Sequence, residues 1–158
     1  MAWPDDGIPI EEQIINALMT RLRTIQPPAY RYAVVDVLLC ESDFDAAGET
    51  PAIAVLPMES AIDDKTNYAL YHDLRVGIGA AIKIEGPAET WRREIKYLIG
   101  DITVAVLTEP QFGELASSSR FTAQRIPPRD PQDELAIAEL ELMIRYHHIY
   151  ANPSLQWT

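Results

Sequence analysis

Alternate positions Tyr68, Leu70, His72, Leu74, Val76, Ile78, Ala80 and Ile82 form one nearly continuous apolar face, the period-2 pattern of a strand with one side on a core. After Gly86 the period changes. Pro87 and Glu89 suit a first helical turn, and Trp91, Ile95, Leu98, Ile102 and Ala105 then recur at steps of four and three until Glu109 and Pro110. Residues 67–107 are therefore predicted to be a long strand followed by a long helix, the most strongly patterned part of the chain.

The same reading extends to both ends. Pro9, Glu11 and Glu12 precede a helical spacing of Ile10, Ile14, Leu18, Leu22 and Ile25, so residues 9–25 are predicted to be an amphipathic helix ended by Pro27 and Pro28. Residues 30–40 are aromatic and β-branched, with Val34, Val35, Val37, Leu38 and Leu39 apolar on both faces, which predicts a strand covered on both sides. Residues 41–50 form an acidic loop, residues 52–56 a short buried strand, and residues 59–67 a polar hairpin connection. Residues 111–119 are predicted to be irregular and 121–126 a short strand broken by Pro127 and Pro128. Residues 133–138 suit a helical turn, and an alternating strand is predicted from Glu139 to Tyr150. The expected fold is α+β: a mixed, mainly antiparallel sheet with long strands and two main helices packed on it, in a single domain over residues 1–153 with a tail at 154–158.

A strand as long as the one at 67–82, at about 3.3 Å per residue, spans roughly 50 Å and must bend or overhang its own domain. Gly77 and Gly79 lie on its non-core face, where missing side chains allow a bulge or the close approach of another backbone. An overhanging hairpin also exposes edge hydrogen-bonding groups that another subunit can pair.

Composition narrows the classes. A chain of 158 residues, 47% hydrophobic, is of ordinary single-domain size and buries roughly 70% of its unfolded surface. The lone Cys40 permits no intrachain disulfide and suits a reducing, intracellular setting. The first residues show no signal-peptide pattern, and no run is long enough to cross a bilayer. The formal net charge of −11 argues against wrapping a nucleic-acid backbone, which is bound chiefly by Lys and Arg.

Candidate chemistry is sparse, and no enzyme activity or cofactor is expected. The loop with Asp43, Asp45 and Glu49 lacks the spaced oxygens, central glycine and closing glutamate of an EF-hand. His147 and His148 are adjacent, so on a strand they point to opposite faces and do not share a metal. His72 is expected to be a tucked, hydrogen-bonded core residue. A phosphate loop, a dinucleotide turn, a nucleophile elbow and a His-Glu-x-x-His zinc motif are all missing. A carboxylate hydrolase built on Asp36, Glu41 and Asp43 stands as a competing class, with no motif favouring it.

The opening helix Glu11-Glu12-Gln13-Ile14-Ile15-Asn16-Ala17-Leu18, the strand Thr50-Pro51-Ala52-Ile53-Ala54-Val55, the long strand and helix, and the closing Glu139-Leu140-Glu141-Leu142-Met143-Ile144-Arg145-Tyr146 together resemble the bacteriophage tail terminator family, the tail-completion proteins of the minor tail protein U type. The resemblance covers residues 8–153. It implies a structural virion protein, assembled in the host cytoplasm and joined as a homo-hexameric ring at the head-proximal end of the tail tube. The ring stops tube polymerisation and offers a docking surface to the head, with the tail tube protein and the head-tail connector protein as partners. DNA crosses the lumen without specific binding, and catalysis is not required. On this reading Asp43, Asp45 and Glu49 face Arg120, Arg125 and Arg129 across a head-to-tail subunit contact that also uses Gly77 and Gly79. Two other readings compete: a head-tail connector or head completion protein, and a small acidic module binding a basic partner.

Overall fold

The computed structural model describes residues 7–40, 49–65, 69–128, 130 and 132–149. In chain order they form α1 (Ile10–Arg23), β1 (Asp36–Leu39), β2 (Ala52–Lys65), β3 (Ala69–Lys83), α2 (Ala88–Leu107), β4 (Ser118–Arg125) and β5 (Leu135–Ile149). The strands make one five-stranded sheet in the order β1-β2-β3-β5-β4. β1 runs parallel to β2 and every other neighbouring pair is antiparallel, so the fold is the expected α+β arrangement with a mixed, mainly antiparallel sheet.

Period-2 alternation decides which side of the sheet is inside. Val37, Ile53, Val55, Leu74, Val76, Ile78, Ala80, Ile82, Ala136, Ala138, Leu140, Leu142 and Ile144 all project to one face, in register across the strands. The apolar stripes of both helices join the same core: Ile14, Leu18 and Leu22 from α1, and Trp91, Ile95, Leu98 and Ile102 from α2. Full burial of each large aliphatic side chain contributes about 1.5–3 kcal/mol. Both helices therefore pack on one face, and neither covers the other.

The connection from β3 to α2 turns at Gly86, whose φ of +81° lies in the left-handed region that a side chain resists. Pro87 then stands at the helix N-terminus and Glu89 in its first turn, where a negative charge suits the dipole. Arg21 ties α1 to α2 by donating to the Ala105 carbonyl at 3.4 Å and pairing with the Glu109 carboxylate.

Several expected boundaries are corrected. β1 is confined to Asp36–Leu39 and is buried on one side only, because residues 30–35 are drawn into other bonds. The Tyr32 N–H goes to the Asp101 carboxylate at 2.9 Å and the Val34 N–H to the Ile25 carbonyl at 3.0 Å. β2 continues through the expected turn to Lys65 by inserting a bulge between Pro57 and Ser60. β1 pairs with β2 only as far as Val55, so Pro57 stands where β2 has become an edge, the place where a missing N–H is tolerated. Residues 135–138 are strand, not helix, since β5 pairs with β3 from Leu135 to Ile149. β4 begins at Ser118, earlier than expected.

The long strand is confirmed at Ala69–Lys83, but it is the centre of the sheet. β2 bonds it on one side and β5 on the other. The strand that carries Gly77 and Gly79 is therefore paired along both edges, and the two glycines keep their expected place on its non-core face. Among the described residues the open edges of this arm belong to β2 beyond Val55 and to β5 beyond Arg145, where pairing with β1 and β4 stops.

Candidate functional site: a helix-free sheet face and a histidine pair

Across the face that neither α1 nor α2 covers, which among the described residues carries no helix, the strands set side chains in rows. One row runs Leu38, Ala54, Gly79, Glu139, Arg125, and the next runs Leu56, Gly77, Glu141, Ala123. Ala52, Ala54, Gly77, Gly79 and Ala81 form a floor of small residues with little exposure, and Ile137 stands at its border with 37% of its surface open. The border on the other side is ionic. Arg75 on β3 reaches Glu59 on β2 at 2.6 Å and Glu141 on β5 at 2.7 Å, so one guanidinium joins three strands. Arg75 holds the Glu141 carboxyl below the usual carboxylate range, with the Thr122 hydroxyl adding to the effect. Arg145 pairs with Asp73 at 3.3 Å in the adjacent row.

The residues expected at a subunit contact lie on separate elements, as far as they are described. Arg125 is well exposed and pairs with Glu139 of its own chain at 3.1 Å, an arrangement worth about 0–1 kcal/mol at a surface. Arg120 is exposed on the same strand. Gly77 and Gly79 lie in the floor, two strands away from β4. Glu49 is exposed beside the start of β2. Asp43, Asp45 and Arg129 lie outside the described residues, as does the tail at 154–158.

On the helix-bearing face the end of the arm carries a polar cluster. His72 on β3 stacks on Tyr146 of β5, with ring centroids 4.9 Å apart and planes at 7°. Its Nδ1 is 3.2 Å from the Ser60 hydroxyl and its Nε2 is 2.9 Å from Nε2 of His148. The Tyr146 hydroxyl in turn contacts Ser60 at 3.3 Å and donates to Glu11 at 3.3 Å in the first turn of α1. Burial pushes the Tyr146 phenol up to about 12 and raises the Glu11 carboxyl.

The opposed orientation of His147 and His148 is as expected, with His147 packing against Tyr71 on the other face. His72 is hydrogen-bonded, also as expected. The sequence reading missed that His148 finds its partner on the neighbouring strand. The β3–β5 register, with His72 opposite Tyr146 and Leu70 opposite His148, creates that pair. Alternation alone carries no information on which strands are neighbours.

Burial, with a smaller contribution from His148, pulls the His72 pKa below its ordinary 6.5, against the attraction of Asp73. The unfolded chain therefore takes up a proton that the folded chain resists. Stability from His72 is present above pH 6.5 and is lost as the pH falls toward the folded value. Glu11, raised from 4.5, works in the opposite sense: its contribution is present below pH 4.5 and lost as the pH rises through its folded value. Comparison with a variant isolates the histidine. The wild-type melting temperature is expected to drop more steeply than that of His72→Gln between pH 7 and pH 5, and equal slopes would contradict the assignment.

Among the described residues no helix is long and apolar enough to cross a membrane. Comparison with known proteins adds little to this geometry. No protein-family model matches the chain, and no curated protein matches it. Among solved structures, a chain from the virion of the native gene transfer agent (GTA) particle is similar at 12% identity, covering 88% of this chain and 92% of that one with a TM-score of 0.34. An overlay at that score carries no argument, and the functional reading rests on the sheet itself.

Proposed function

We propose that this chain is a structural subunit of a phage-like particle, without catalytic activity, that joins copies of itself into a ring at the head-proximal end of a tail tube. In that role it ends tube polymerisation and presents a docking surface for the head. The observation that carries this reading is the one-sided sheet: both helices pack on one face, leaving Leu38, Leu56 and Ile137 around a shallow floor of alanine and glycine on the other. A floor of small residues lets another backbone or side chain approach closely. The order of elements that resembles tail terminators supports the same role.

The purified chain, alone and mixed with polymerised tubes, is the material for the test, by native mass spectrometry and negative-stain imaging. Rings, or density confined to one tube end, are the expected result. A chain that stays monomeric and ignores tube ends would sink the proposal. Arg125→Glu is expected to weaken assembly several-fold at low salt and less at high salt, since rim charges act mainly through screened electrostatics. Its internal partner Glu139 contributes little stability, so the fold should persist. Undiminished ring formation by this variant would remove Arg125 from the contact.

A further inference from the structure

We infer that His72 and His148 form a binding site for a divalent transition-metal ion of the zinc class at the end of the β2–β3–β5 arm, with water completing the coordination shell. The pair is already converged. The two Nε2 atoms lie 2.9 Å apart, and the rings face each other at a centroid distance of 4.8 Å and an interplanar angle of 29°. A tetrahedral zinc ion with two Zn–N bonds of about 2.0–2.1 Å sets its nitrogens about 3.4 Å apart, so the rings need to separate by only about half an ångström.

The hydrogen-bond network prepares the ligands. An imidazole ligates well when its other nitrogen is held, because that bond fixes the tautomer and the ring orientation. Ser60 does this for His72, at 3.2 Å from Nδ1, and Tyr146 stacks flat on the same ring. In the metal-free network one proton lies between the two Nε2 atoms. On metal binding, that proton moves to the far nitrogen of the ring that carried it, and both Nε2 lone pairs turn to the ion. When His72 is the donor, Ser60 changes from donor to acceptor. No net proton is required or released from the neutral pair.

His72 is only partly buried, whereas His148 is 9% exposed, so the ion and its waters would enter from the His72 side. Glu11, bonded to Tyr146 at 3.3 Å, places a carboxylate in the surrounding network. The choice of metal follows from the donors: two neutral imidazoles suit zinc, nickel or copper better than magnesium or calcium, which take oxygen. An ion here adds a side-chain link between β3 and β5 beyond the last β4 rung at Ser118 and Arg145, and it is independent of the assembly role.

The full chain titrated with zinc chloride at pH 7.5 provides the test, read by calorimetry and thermal melting. One ion per chain and a raised melting temperature are expected. His72→Gln and His148→Gln should each lose tenfold or more in affinity, whereas His147→Gln, on the opposite face, keeps wild-type binding. Imidazole resonances of the wild-type chain give a measurement that no variant's folding can compromise: those of His72 and His148 should shift with zinc. No binding at millimolar zinc, binding that survives both variants, or shifts confined to His147 would overturn the site.

Discussion

Leu142→Ala is expected to cost the chain roughly 2–5 kcal/mol, the range for emptying a large aliphatic site in a packed core. Leu142 has no exposed surface. It lies on β5 opposite Val76 of β3 on one side and Phe121 of β4 on the other, facing the layer of helices. The flanking strands are pinned by their ladders, so the cavity cannot collapse by sliding one strand. Against a typical total stability of about 5–15 kcal/mol, the urea midpoint should fall far. Val104→Ala supplies the contrast, because that side chain on α2 is 57% exposed and its loss should stay within about 0.5 kcal/mol. Similar midpoints for the two variants would refute a core confined to one face.

Gly79→Pro should be comparably damaging through a different cause. Gly79 is paired with Ala54 on β2 and Glu139 on β5, so its N–H has a strand to bond whichever way it faces. Proline removes that donor and leaves a buried carbonyl unpaired, at roughly 1–3 kcal/mol, and its ring crowds the ladder besides. Ser118→Pro at the first residue of β4, a position where proline is tolerated, should cost much less. Denaturant melts of both variants decide the matter. Equal losses would mean that β3 is not the central strand.

How much was legible follows from the range of each signal. Period-2 alternation identified Leu74, Val76, Ile78, Ala80 and Ile82 as the inward face of β3, and a three-and-four spacing identified Trp91 to Ala105 as the buried stripe of α2. Both patterns arise within one segment, from the geometry of its own backbone. Residues 135–138 went wrong because a short apolar run suits a helical turn or a strand equally well, and only the partner strand decides between them. β2 went wrong at Pro57 for a related reason: a proline and polar residues read as a turn until a bulge and an open edge make room for them.

The candidate sites were less accessible still. Arg75, which joins three strands, and the His72–His148 contact both depend on strand order and register. The sequence by itself determined the two helices, the long strand, the inward face of that strand and the acidic, motif-poor character of this protein, since these are local or additive properties. Only the tertiary structure decided that the long strand is central, that both helices share one face, and that two histidines 76 residues apart meet. Pairing between distant segments is settled by the joint burial and hydrogen bonding of the whole sheet, which no single segment encodes.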